Sequence, residues 1–358
     1  MPTSRERLRR AYFHEEMDRP AVYCRTGFPP DDPTYDALKA YIAEHADLKM
    51  GWYAPSMLAP YPITESVEPY SDDFERRVHV LHTPQGDLRA TWLVSLTGQS
   101  GMHETYFIKD REDAEKYLSL PLPAITPAAS GFVAADARVG DRGIAEVGLK
   151  MNPGGTVAEL CGSENFALLS ITDRDLLHAL CERELRIHLA ILDTVFALGA
   201  GPYFAFLGQE YIVPPLHGPA DFYDFNVRYD RQIIDRIHEG GGRVYVHSHG
   251  SIAKVMQGFL DMGVDVLHPF EAPPMGDITP AEAQRAAGRR MTLEGNIQID
   301  RMYTATPEEI RAETGELIRA VFAQGTGLVV CPTASAYIRG RGDECFPQYK
   351  TMIDTVTG

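Results

Sequence analysis

From about residue 125 onward, short apolar runs alternate with longer segments whose apolar residues recur at helical spacing. The apolar runs lie at residues 143–149, 203–207, 244–249, 264–268, 291–294 and 328–331. The helical periods lie between them, at 176–198, 222–238, 252–261, 280–287 and 307–323. Strand alternating with helix over so long a stretch predicts a parallel sheet, either closed as a (β/α)8 barrel or open and doubly wound.

The segment before residue 125 has a different pattern. It predicts a helix at 5–16, a strand at 21–25, a helix at 33–46, a loop at 51–69 and a short helix at 110–118. Extended runs at 77–82 and 88–94 flank a turn with Pro84 and Gly86, which predicts a β-hairpin. We therefore expect one domain over residues 1–358, with a hairpin insertion at 76–96.

The placement of polar residues decides between the two parallel folds. No GxGxxG or GxxxxGK[ST] phosphate loop follows a predicted strand, and polar residues follow many different strands. We therefore predict an α/β fold, a (β/α)8 TIM barrel with an N-terminal helical and β-hairpin elaboration. In such a barrel the strand ends meet around one mouth, where active sites are built.

The charge balance limits the partners. The chain has 34 Lys and Arg against 50 Asp and Glu, a formal net charge of −16, which repels nucleic acids and anionic lipid surfaces. The N-terminal segment has no apolar core of signal-peptide length, and no apolar run reaches the length of a membrane span. We expect a cytoplasmic protein with a small-molecule substrate and no nucleic-acid or membrane partner.

Candidate metal ligands follow two of the predicted strands. His247 and His249 lie on the same face of the strand at 244–249, since side chains alternate along a strand. Cys331 ends the strand at 328–331. Two imidazoles and a thiolate suit zinc, and three protein ligands leave one position open for catalysis. Glu271 is an alternate or fourth ligand, and His247, His249 and Glu271 without the thiolate would resemble an Fe(II) site.

Other interpretations of these residues stay open. The two histidines could instead form hydrogen bonds, act as general acids or be structural. Glu210, which follows the strand at 203–207, and Glu271 are candidate catalytic acids or bases. Asn296 follows Gly295, where the backbone can approach a ligand, and is a candidate substrate contact. Apart from the candidate metal ligands, we predict no cofactor-binding residues.

The order of motifs resembles the uroporphyrinogen decarboxylase-like superfamily. The motifs that carry the resemblance are Arg5-Glu6-Arg7, Asp18-Arg19-Pro20, Thr83-Pro84-Gln85-Gly86, His247-Ser248-His249-Gly250, Gly263-Val264-Asp265-Val266-Leu267, Glu294-Gly295-Asn296-Ile297 and Thr306-Pro307-Glu308-Glu309-Ile310. They span nearly the whole chain. The superfamily consists of (β/α)8 barrels and includes porphyrinogen decarboxylases, zinc-dependent corrinoid and thiol methyltransferases, and cobalamin-independent methionine synthases.

Departures from these branches shape the expected activity. The decarboxylases have an arginine-rich RQAGRY-type segment, of which only Arg25 remains here. The methyltransferases bind zinc through a His-x-Cys pair and a later cysteine; here His247 matches the first position, His249 replaces the cysteine, and Cys331 matches the last thiolate. The resemblance therefore implies a zinc-dependent methyltransferase that moves a methyl group between a corrinoid or a methylated small molecule and a thiol or cofactor acceptor.

Two alternatives remain at this stage. The first is a metal-free decarboxylase or lyase of the same superfamily that uses histidine and glutamate as acid and base. The second is a non-catalytic binding protein, against which the ionisable groups at one mouth argue. A corrinoid protein is a candidate partner, and a homodimer is left open because dimers are common in resembling proteins. The methyl donor, the acceptor and the metal are not determined by the sequence.

Overall fold

A computed structural model describes residues 2–53, 61–97, 101–126 and 130–358 of the chain. The strands are β1 (Ala21–Val22), β2 (Leu48–Trp52), β3 (Ile63–Pro69), β4 (Phe74–Thr83), β5 (Gly86–Ser95), β6 (Met102–Thr105), β7 (Gly143–Met151), β8 (Tyr203–Leu207), β9 (Arg243–His247), β10 (Val266–His268), β11 (Thr292–Ile297) and β12 (Leu328–Pro332). The α-helices are α1 (Ser4–Tyr12), α2 (Asp36–His45), α3 (Arg111–Leu118), α4 (Ser130–Val139), α5 (Pro153–Cys161), α6 (Ser163–Thr172), α7 (Arg174–Ala197), α8 (Pro219–Phe222), α9 (Arg228–Glu239), α10 (Met256–Asp261), α11 (Pro280–Ala287), α12 (Arg301–Thr304), α13 (Pro307–Val321) and α14 (Gly342–Thr357).

The main sheet has eight parallel strands in the order β1-β12-β11-β10-β9-β8-β7-β2. It curls so that its two edge strands meet. The backbone N–H of Asp47 donates to the carbonyl of Val22 over 2.8 Å, and the Asp47 carboxylate accepts from the N–H of Val22 over 2.8 Å. The predicted barrel fold is confirmed, and its strands end at one mouth.

A second sheet, antiparallel and in the order β3-β4-β5-β6, precedes the regular part of the barrel. The predicted hairpin corresponds to β4 and β5, which turn between Thr83 and Gly86. The predicted loop at 51–69 is wrong over 63–69, where β3 pairs with β4. Every residue of β3 is exposed. A strand with no buried face does not need the alternation of apolar and polar residues from which strands are predicted. Residues 54–60 of that loop lie outside the described part of the chain.

Local sequence signals explain several helix starts. Thr279 and Thr306 each begin a helix with a proline at the first position and a glutamate three residues after the threonine, and both form complete capping boxes. None of the helices in the described ranges is both long and apolar enough to cross a membrane.

Alternation along the barrel strands separates the core from the site. Outward-facing residues such as Val147, Phe204 and Val246 are fully or almost fully buried and belong to the large apolar cluster between sheet and helices. A smaller cluster joins Tyr245 to Tyr12 of α1 at the inner side of the barrel. Since side chains of one parity share a face, polar residues of the inward set lie inside the barrel.

A buried polar network holds the loops that follow β7 and β8. The carboxylate of Asp230 accepts hydrogen bonds from Asn152 Nδ2 over 2.9 Å and from Gln209 Nε2 over 2.8 Å. Asn152 also caps α5 through the N–H of Gly155. Burial raises the pKa of Asp230 to about 7, although both hydrogen bonds oppose the rise. The folded protein therefore holds this proton more tightly than the unfolded chain does.

We expect Asp230→Asn to flatten the pH dependence of stability. In the wild type, the contribution of Asp230 is fully present below the unfolded pKa near 4 and is lost as the pH rises towards 7, by on the order of 4 kcal/mol at most. The asparagine cannot ionise, and rotation of the Gln209 amide would bring Oε1, which has no hydrogen-bond partner among the described residues, to the new N–H group. Urea unfolding at pH 5 and pH 8 measures the difference, with the exposed Asp235→Asn on α9 as control. Equal pH dependence in wild type and Asp230→Asn would contradict the prediction.

Candidate functional site

The inside of the barrel opens into a cavity of about 300 Å³ at the carboxyl ends of the strands. Its lining comes from segments that are distant in sequence. The residues that line it are Tyr23, Arg25, Thr26, Gly27, Lys49, Gly51, Tyr53, Glu146, Ala205, Phe206, Leu207, Tyr245, His247 and Ser335. The described cavity therefore combines two cations, a carboxylate and an imidazole in one place.

Lys49 on β2 forms the floor of this cavity. Its Nζ lies 2.5 Å from Oε2 of Glu294 on β11 and 3.6 Å from Oε1 of Glu146 on β7. Tyr12 adds a hydroxyl at 3.0 Å from the ammonium. Burial alone would lower the pKa of Lys49, but the two carboxylates outweigh it and the pKa is raised. Lys49 is therefore a fixed cation, not a neutral amine.

Arg25 places a second cation beside two imidazoles. Its Nη1 lies 3.0 Å from the hydroxyl of Tyr245 and 3.4 Å from Nδ1 of both His247 and His268. The two Nδ1 atoms are 2.9 Å apart. Burial, and then the charge of Arg25, lower the pKa of His247 to about 2 and that of His268 well below its ordinary value. Both rings are therefore neutral, the form that binds metals.

A buried group of three potential metal ligands lies next to these histidines. Possible ligand atoms of His268, Glu294 and Cys331 all lie within 4.8 Å of one another. The residues come from the neighbouring strands β10, β11 and β12, and all three are fully buried. One nitrogen, one oxygen and one sulfur donor form a set that zinc accepts in proteins.

The details of the group fit a metal ion. Oε1 of Glu294 is buried and has no hydrogen-bond partner among the described residues, whereas Oε2 is held by Lys49. Nε2 of His268 lies 3.1 Å from the carbonyl of Pro332, so its N–H donates there. The lone pair of Nδ1 faces Nδ1 of His247 and Nη1 of Arg25, and a metal bound at Nδ1 would replace these contacts. Burial, and then the charge of Glu294, raise the pKa of the Cys331 thiol, so binding a metal would release its proton.

The three predicted ligands are only partly brought together. His247 lines the cavity and contacts His268, and Cys331 belongs to the buried group. The ring of His249 lies 4.7 Å from that of His247, and its Nδ1–H donates to Oε2 of Glu271 over 2.9 Å. The His249 side chain is 39% exposed, whereas that of Glu271 is 5% exposed. Burial alone would raise the pKa of Glu271, but this bond and the charge of His249 keep it lowered.

The remaining predicted residues lie around the same mouth. Glu210 belongs to a short 3-10 helix after β8, and its Oε2 accepts from the N–H of Gly208 over 3.1 Å. Burial raises its pKa. Asn296 on β11 donates to the carbonyl of Phe270 over 2.6 Å, and its Oδ1 is buried without a partner among the described residues. The catalytic roles of Glu210, Glu271 and Asn296 remain predictions.

Neither Lys49 nor Glu146 was singled out in the sequence, and His268 and Glu294 were not named there as metal ligands. Lys49 is the second residue of Leu-Lys-Met-Gly-Trp, a run that was not predicted as a strand. Glu146 lies within an otherwise apolar predicted strand, where a buried carboxylate needs a partner. That isolated charge was the available signal, but the partner could be found only in three dimensions.

The fold and the site together define a (β/α)8 barrel with its chemistry at the carboxyl ends of the strands. The sequence matches the uroporphyrinogen decarboxylase (URO-D) family over residues 146–335, more than half of the chain. The protein belongs to the uroporphyrinogen decarboxylase family, as its motifs predicted. Among curated proteins the sequence matches none.

Solved structures with the same architecture share little sequence with this chain. A methyltransferase from Methanosarcina mazei superposes over 100% of both chains with a TM-score of 0.64 at 15% identity. A B12-independent methionine synthase from Shewanella sp. W3-18-1 superposes over 82% of this chain and 74% of its own, with a TM-score of 0.41 at 11% identity. The likeness to the Methanosarcina mazei methyltransferase supports the fold and not the activity.

Proposed function

We propose that this protein is a metal-dependent methyltransferase that binds zinc through His268, Glu294 and Cys331. The observation that carries the proposal is the buried nitrogen, oxygen and sulfur donor set on three neighbouring strands. Zinc held by these residues would supply a Lewis acid that lowers the pKa of a bound thiol. The full-length likeness to the Methanosarcina mazei methyltransferase is consistent with this proposal.

Two cationic side chains in the cavity favour binding of an anionic methyl acceptor. Arg25 and Lys49 both line the cavity and are both cationic. A thiolate, or a thiol that carries a carboxylate, would enter this cavity with favourable electrostatics. His247 lies between the cavity and His268, so it is placed to contact the acceptor or to become a further ligand.

The activity is tested with purified protein loaded with zinc. We expect it to transfer a methyl group from methylcobalamin, or from a methylated corrinoid protein, to a small thiol. The change in the absorption spectrum of the corrinoid measures the rate of this transfer. Protein stripped with a chelator should be inactive and should regain activity when zinc is restored. Equal rates with and without metal would contradict the proposal.

The ligand set predicted from the sequence, His247, His249 and Cys331, remains an alternative, and single variants separate the two sets. We expect His268→Ala to lose bound zinc, with its affinity reduced by more than about 100-fold, because a ligand matters more than an outer partner. His249→Ala should retain zinc, since its imidazole is bonded to Glu271. Metal content by plasma mass spectrometry measures both. Zinc lost from His249→Ala and kept by His268→Ala would favour the set predicted from the sequence.

A second candidate function is a metal-free decarboxylase or lyase. The half-exposed His249 favours this second function. Its Nδ1–H donates to the carboxylate of Glu271, so its Nε2 is the nitrogen that can accept a proton from a substrate. Carbon dioxide release from carboxylate substrates by chelator-treated protein would support this function. Its absence, together with zinc-dependent methyl transfer, would exclude it.

A further inference from the structure

Lys49 is not one of the proposed metal ligands, but it binds one of them, Glu294. The ammonium is almost fully buried, with 2% of the side chain exposed. It binds Oε2 of Glu294 and leaves Oε1 without a partner among the described residues. The two oxygens of this carboxylate therefore differ, because Oε2 is bound to a cation and Oε1 is bound to none of the described residues.

The surroundings of Lys49 fix the position of its ammonium. The rings of Tyr12, Tyr23 and Tyr245 lie 5.1, 5.1 and 4.4 Å from Nζ. Aromatic faces at these distances attract a cation. Glu146 lies on another side, at 3.6 Å from Nζ. The ammonium therefore cannot withdraw from Glu294 without leaving its ring cage.

We propose that Lys49 is a positioning residue of the metal centre, which holds Oε2 of Glu294 so that only Oε1 reaches the metal. This inference rests on the proposed function. Lys49 makes Glu294 a one-oxygen ligand and keeps a coordination position open for substrate.

Zinc affinity separates positioning from simple charge repulsion, because the two effects have opposite signs. If Lys49 only repelled the metal, Lys49→Met would bind zinc more tightly. If it positions Glu294, we expect zinc binding to weaken by about 10-fold to 100-fold, as for other outer partners of metal ligands. Competition with a coloured chelator measures the affinity. Lys254→Met, an exposed lysine changed in the same way, is the control and should match the wild type.

A double variant tests whether the weaker zinc binding comes only from the negative charge that Lys49→Met leaves uncompensated. Lys49→Met leaves Glu146 and Glu294 buried together, whereas Lys49→Met with Glu146→Gln keeps the net charge of the three residues at −1. We expect the double variant to bind zinc as weakly as the single one, and Lys49→Arg to recover part of the affinity. A double variant that folds and binds zinc as tightly as the wild type would overturn the inference.

A measurement on the wild type does not depend on how the Lys49 variants fold. The infrared difference spectrum between zinc-loaded and metal-free protein reports the two carboxylate stretches of Glu294, assigned by their absence in Glu294→Gln. A wide separation of the stretches indicates one bound oxygen and is the expected result. A narrow separation indicates two bound oxygens and would overturn the role of Lys49 while leaving the metal site in place. A wild type that binds no metal would refute the proposed function itself.

Discussion

Cys331→Ser is expected to abolish zinc binding at physiological zinc concentrations, with affinity reduced by more than about 100-fold. A serine hydroxyl is a far poorer zinc ligand than a thiolate, and Cys331 is the only sulfur in the proposed set. Methyl transfer should fall with the metal content. Plasma mass spectrometry on untagged protein measures the metal, and the buried Cys345→Ser on α14 is the control.

The pH dependence of zinc binding gives the same variant a second readout. Because burial raises the pKa of the Cys331 thiol, the metal must displace its proton. Zinc affinity of the wild type should therefore rise with pH, by about tenfold per unit while one proton is released. The residual binding of Cys331→Ser should depend less on pH. Full zinc content in Cys331→Ser would remove Cys331 from the ligand set.

Asp47→Leu is expected to lower the free energy of unfolding by about 2 to 4 kcal/mol, because it removes the buried acceptor of the Val22 N–H and one of the two carboxylates that hold Arg7, the other being Asp18. The Asp47 carboxylate is 1% exposed and lies 3.2 Å from Nη1 of Arg7. It also accepts the N–H of Val22, where β1 and β2 meet. The substitution therefore breaks an ion pair and opens the seam of the barrel.

Two further variants grade the effect at position 47. Asp47→Asn keeps an acceptor for Val22 and should cost less than Asp47→Leu. Glu44→Leu, on the exposed side of α2, should change the stability by no more than about 0.5 kcal/mol. Urea unfolding followed by circular dichroism measures all three. A loss below about 1 kcal/mol in Asp47→Leu would show that the seam does not depend on this carboxylate.

The strand pattern predicted the barrel, because alternating strands and helices leave few other folds. His247 and Cys331 lie on regular strands, whose pleat fixes the direction of their side chains. His249 lies two residues beyond the end of β9, so the loop and not the pleat sets its direction. For that reason its bond to Glu271 could not be predicted.

The grouping of His268, Glu294 and Cys331 depends on register between strands. His268 lies beside His247, and Cys331 lies beside Asn296 in the parallel ladders. A sequence shows which residues alternate inward, but it does not show at what height neighbouring strands align. The contacts of Lys49 with Glu294 cross the barrel interior from β2 to β11, strands that are far apart in the chain. Such contacts follow only from the closed fold.

The most direct test of the account is the number of zinc ions per chain in untagged protein after equilibration with zinc and removal of the excess. The account predicts one tightly bound zinc per wild-type chain, and none in a variant that carries both His268→Ala and Cys331→Ser. A wild-type chain that retains no zinc under these conditions would contradict the central claim and favour the metal-free chemistry of His249 and Glu271.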